Sequence, residues 1–109
     1  MRRISIHEVL ETGADGEPYV SGFMAHIEPP VELTPVAVER YVRHGRLDTS
    51  NPEMEAGLAN PMLVGNGKNH TAIYASVEFG YDEVSVSEVL ANRVAGLLGH
   101  LGIESEIAQ

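Results

Sequence analysis

Residues 70–109, HTAIYASVEFGYDEVSVSEVLANRVAGLLGHLGIESEIAQ, read in order as strand, bend, amphipathic helix and short strand. Thr71, Ile73, Ala75, Val77 and Phe79 alternate with Tyr74, Ser76 and Glu78, the period of two expected of a half-buried strand. Gly80 to Glu83 turns the chain. Ser85 and Glu88 stand at capping-box spacing, where two side chains satisfy free amides at a helix start. Val86, Val89, Leu90, Val94, Leu97, Leu98 and Leu101 recur at i, i+3 and i+4, which puts them on one helix face. Gly102 marks the stop, and Ile103 to Ile107 offers a final short strand.

Upstream, Met62-Leu63-Val64 leads into Asn66-Gly67, a pair suited to a two-residue hairpin turn. Residues 46–61 read as a short helix from Asn51-Pro52-Glu53 to about Ala59, before Asn60-Pro61, or else as a long loop. Before them, Thr34 is a cap, Pro35 a first helical residue and Gly45 a stop, with Val38, Tyr41 and Val42 as the apolar stripe. The N-terminus reads as a hairpin. Ile4 and Ile6 oppose Arg3, Ser5 and His7 until the alternation slips at Val9-Leu10. After the turn at Gly13 to Gly16, Phe23, Ala25 and Ile27 oppose Val20, Gly22, Met24, His26 and Glu28, and Pro29-Pro30 closes the strand. The expected product is one α+β domain over 1–109, in the order ββα(α)ββαβ. It holds an antiparallel sheet of about four strands, with the helices packed on one face.

Composition narrows the function classes. A chain of 109 residues with 43% hydrophobic content is long enough to bury a core, and zero Cys excludes disulfides and thiolate chemistry. Sixteen acids against seven bases give −9, a field that disfavours nucleic acid and anionic membranes as partners. No apolar run nears a membrane span, and Met1-Arg2-Arg3 opens no signal peptide, so the cytoplasm, or a virion assembled there, is the expected location.

Motifs for catalysis are missing. Val64 to Thr71, VGNGKNHT, lacks the spacing of a phosphate loop and precedes a strand rather than a helix. None of Ser5, Ser21, Ser50, Ser76, Ser85 or Ser87 sits in a nucleophile elbow, and the five histidines show no metal-binding spacing. We therefore expect no cofactor and no metal. His26 and Glu28 share one strand face, with His7 a candidate cross-strand neighbour. They read first as a polar outer surface; alternatively the three could hold zinc or run acid–base chemistry, or His26 and Glu28 with His70 could surround a pocket for a small molecule.

The last helix carries a second candidate. Ala91, Ala95 and Gly99 recur every four residues with Gly96 beside them, although each helical Gly costs about 1 kcal/mol relative to Ala. Close approach of another backbone would justify that cost, either within the chain or from a partner. The sequence thus favours a non-catalytic assembly or partner-binding module, a homo-oligomer or a component of a larger particle such as a phage structure. A small dimeric α+β enzyme or small-molecule-binding protein using His26, Glu28 and His70 is the alternative.

Overall fold

Strands β1 (Arg2–Thr12) and β2 (Pro18–Glu28) form the expected hairpin in the computed structural model, which describes residues 1–43, 58–77 and 83–108. Their antiparallel register breaks between Val9 and Leu10, where the alternation slips. Val9 faces Gly22 and Leu10 faces Val20, leaving Ser21 as the extra residue of a bulge, its hydroxyl donating to Val9 O at 3.1 Å.

Thr34 caps the next element as the sequence predicts, its Oγ1 accepting from Ala37 N at 3.1 Å. One short turn, α1 (Pro35–Ala37), then widens into π-helical turns over Val38–Arg43, a geometry that the apolar spacing did not reveal. The buried Arg93 guanidinium donates to Val42 O at 3.0 Å, so a distant side chain serves a carbonyl of these turns. The expected stop at Gly45 and most of the expected short helix lie outside the described residues.

Strand β3 (Leu58–Asn66) already holds Leu58 and Ala59, so that short helix does not reach Ala59. Pro61 is tolerated inside β3 because the strand lies at a sheet edge and its pairing with β4 (Thr71–Val77) is irregular on either side. The connection is also longer than the two-residue turn expected. Asn66 pairs with Thr71, and four residues link them, with Gly67 at φ 84° and donating to His70 O at 3.0 Å. Asn66 Oδ1 accepts from Leu33 N at 3.1 Å, so this side chain is tied to the preceding segment instead of shaping a tight turn.

Helix α2 (Glu83–His100) starts earlier than the capping-box reading allowed, placing Ser85 within its first turn. Gly102, at φ 77°, follows its end, where Ile103 N donates to Leu98 O at 2.8 Å. Strand β5 (Ser105–Ile107) then pairs parallel with β1, from Arg2 opposite Ser105 to Ile4 opposite Ile107.

The α+β class is as expected, and the sheet corrects the finer reading. It has five strands in the order β3-β4-β2-β1-β5 and is mixed, not an antiparallel sheet of about four. A helical crossover is what permits this. β4 and β5 both run parallel to β1, and α2 carries the chain across one face between them. Ile4, Phe23, Ala25, Ile27, Ile73 and Ala75 point to that face, where Leu33, Val38, Val42, Val86, Leu90, Val94, Leu97 and Leu98 complete the core. Full burial of each large aliphatic side chain contributes about 1.5–3 kcal/mol.

Candidate functional site

The same alternation that fills the core leaves ordered rows on the opposite side of the sheet. Met62 pairs with Tyr74, Tyr74 with Met24 and Met24 with His7, giving one row across four strands. The next row is Gly65, Ala72, His26 and Ser5. Beyond it, Arg3 pairs with Glu28 on β2 and with Glu106 on β5.

His26, Glu28 and His70, the three pocket candidates of the sequence, line one open cleft of about 610 Å³ together with Arg3, Pro30 and Asn69. His26 and Glu28 are two apart on β2 and so share a face. His70 joins them because β4 is hydrogen-bonded beside β2, which places its first residues next to His26. Gly65 makes the space. A Cβ there would lie 2.5 Å from His70 Cδ2, so only glycine lets the imidazole sit over β3.

Three imidazoles consequently form a row. The His7 and His26 ring centroids are 5.2 Å apart and nearly edge-on, and those of His26 and His70 are 5.1 Å apart and tilted. His26, in the middle, is half-buried while its neighbours are exposed. Burial holds its pKa below the usual histidine value, the charges that His7 and His70 would carry lower it further, and Glu28 opposes them.

The cleft walls are fixed by bonds of their own. Thr71 Oγ1 is buried, accepts from Val31 N at 2.9 Å and donates to Val31 O at 2.9 Å, so it is a wall rather than a nucleophile. Arg2 donates to Pro29 O at 3.3 Å and to Pro30 O at 3.4 Å. Arg3 Nε lies 3.8 Å from Glu106 Oε1, an exposed pair of little energetic weight. Among the described residues, no three His, Asp or Glu side chains converge as they stand on a point that could hold a metal ion.

The helical candidates divide. Ala91 is buried in the chain's own core and Ala95 packs against it, while Gly96 is half-buried. Gly99 is exposed, with open space where its Cβ would be. Beside it, His100 stacks on Tyr41 with ring centroids 4.5 Å apart. Arg93 is the residue that sequence reading passed over. It lies three after Leu90 and four before Leu97, on the apolar stripe, a signal that a buried cation would need a carbonyl there.

The chain is thus a small α+β protein whose sheet is covered by helices on one side and, among the described residues, bare on the other. No family model, curated protein or solved structure matches it. No helix among the described residues is long and apolar enough to cross a membrane.

Proposed function

We propose that this protein is a recognition module that works as an assembly, with the bare sheet face seated against a second copy of the chain. One observation carries the reading: a row of Met62, Tyr74, Met24 and His7 with no element of the described chain packed over it. Met62 is 58% exposed and lies on the same face as Tyr74 and Met24, an apolar patch of the kind that marks contact surfaces.

Charge selects the occupant. Among the described residues, the acids of this face are Glu11, Glu28 and Glu106, all toward its margins, whereas the whole chain carries −9. Two strongly acidic copies meet at least cost where acids are sparsest. Size agrees as well. Strands about 4.8 Å apart and some 30 Å long make a face of roughly 600 Å². Two such faces bury about 1,200 Å², at the lower end of stable interfaces.

The mass of the chain in solution tests this. The Met24→Asp/Met62→Asp double variant should become monomeric with its unfolding transition retained. Gly99→Leu should assemble as the wild type does, because open space surrounds Gly99. Wild-type chain that is monomeric at high concentration removes the proposal. Dissociation by Gly99→Leu alone would move the interface to the Ala91, Ala95, Gly96 and Gly99 stripe.

A second reading, a small-ligand site, has its own support in the cleft that joins His26, Glu28 and His70. Neutral imidazole beside carboxylate is a donor set for binding and for proton transfer. Replacing all three together should abolish any ligand-induced change in thermal stability, and an unchanged response would retire this reading.

A further inference from the structure

We propose that the tip of the first hairpin of one copy fills the cleft beside His26 and His70 of the other, the two sheets being stacked with their strands antiparallel. The proposal rests on the reading that the bare face meets a second copy, and it adds which end of one copy meets which end of the other.

The far end of the hairpin is an arm. Strand β5 pairs with β1 only from Arg2 to Ile4, and β4 pairs with β2 only from Gly22 to His26. Beyond them Leu10 to Thr12 and Pro18 to Val20 make a ribbon of two strands, with no third strand paired to it among the described residues. Such ribbons are marginal in water by themselves, so this one gains from a cover. Its turn is fixed, Gly13 N donating to Glu17 O at 2.8 Å and Glu17 N to Asp15 Oδ1 at 3.0 Å. Glu11 and Tyr19 pair across its strands, and the 49% exposed tyrosine donates its hydroxyl to Glu11 Oε2 at 3.1 Å.

Position selects the match. The apolar row of His7, Met24, Tyr74 and Met62 lies midway between arm and cleft: on β1, Glu11 follows His7 by four residues and Arg3 precedes it by four. A two-fold axis along that row, between two stacked sheets, reverses every strand and keeps the row at the centre. It sets Glu11 of one copy over Arg3 of the second and Tyr19 over Glu28, the cross-strand partner of Arg3. Both arms then cover open clefts of about 610 Å³, bordered by Arg3, His26, Glu28, Asn69 and His70.

Charge agrees. The arm carries Glu11, Asp15 and Glu17, and residues 8–25 include no Arg, Lys or His. Around the cleft, Arg2 and Arg3 stand against Glu28 and Glu106, while imidazole and Asn69 N–H groups offer donors to arriving carboxylates. Stacking with the strands parallel would set two unbalanced acidic tips against each other, a like-charge contact that costs several kcal/mol by the usual order of magnitude, about 2 or more.

Crosslinking tests the orientation, because the chain has no Cys and engineered thiols are the only ones present. Tyr19 and Glu28 both lie on β2, roughly 25–30 Å apart by strand rise. A thiol crosslinker of about 10 Å, the gap between stacked sheets, therefore joins these positions only between copies. The Tyr19→Cys/Glu28→Cys chain should give a covalent dimer, neither single variant should, and adding Met24→Asp/Met62→Asp should abolish the link. In sedimentation, Glu11→Arg should weaken association about tenfold although it lowers the net negative charge, and Arg3→Glu/Glu11→Arg should restore it. Linking by Tyr19→Cys alone, linking that survives the two aspartates, or tighter association of Glu11→Arg would overturn the proposal. A double variant that dimerises without linking overturns it too and leaves the face contact standing, whereas a wild-type chain that stays monomeric at high concentration removes both.

Discussion

The two sides of the sheet are made by neighbouring residues of the same strands, yet they do different work. Ile73 is fully buried under the helices, between Ala25 and Leu63, whereas Tyr74 lies on the bare side between Met24 and Met62. One step along the chain separates a core position from a surface position, because a strand's side chains alternate. The covered side holds the fold together. The other side carries an apolar row and three imidazoles, and it is the surface on which the proposed recognition depends.

The largest break in this contrast should come from within the core. Ile73→Ala should lower unfolding free energy in urea by about 2–5 kcal/mol, the usual cost of a cavity under packed helices. Met62→Ala on the other side should stay within about 0.5 kcal/mol of wild type when both are measured at dilutions where the chain is monomeric. Similar losses in both would mean that the two sides do not differ as described.

Thr71 sharpens the comparison at the boundary between core and cleft. Its hydroxyl satisfies both the N–H and the C=O of Val31, so Thr71→Val keeps the shape and strands two backbone groups. A loss of about 1–3 kcal/mol is expected by denaturant titration. A neutral outcome would show that water replaces the hydroxyl.

A smaller effect belongs to the bare side and depends on pH. The His26 pKa is lowered in the folded chain, so above the ordinary histidine value of about 6.5 both folded and unfolded forms are neutral at this group and it contributes no slope. As pH falls below that value the unfolded chain takes up the proton first, and stability declines until the folded value is passed. Tm should therefore drop between pH 7 and 5, and His26→Asn should flatten the drop. An equal slope in the variant would place the acid sensitivity elsewhere.

Local pattern made much of this legible. Period-two alternation separated Ile4, Phe23, Ala25, Ile27 and Ile73 from Ser5, Met24, His26 and Tyr74, while the slip at Val9-Leu10 left a bulge or a strand end open; β1 runs on to Thr12, and the extra residue, Ser21, belongs to β2. His26 and Glu28 on one face followed from the same rule. The neighbourhood of His70 did not, because it depends on which strand β4 chooses and on Gly65 yielding room. Arg93 was hidden for a similar reason: its partner, Val42 O, lies 51 residues away. The hairpin loop ran longer than Asn66-Gly67 implied because Asn66 is bonded to Leu33, a residue of a different segment.

By itself the sequence determined the N-terminal hairpin, the long C-terminal helix, the two-sidedness of the strands and the absence of recognisable catalytic motifs, since each of these depends on neighbours within a turn or a strand. Only the tertiary structure decided that the sheet has five strands and is mixed, that β5 lies beside β1, and that three histidines from three segments meet. Strand order and register are settled by burial summed over the whole domain, which no local stretch of side chains encodes.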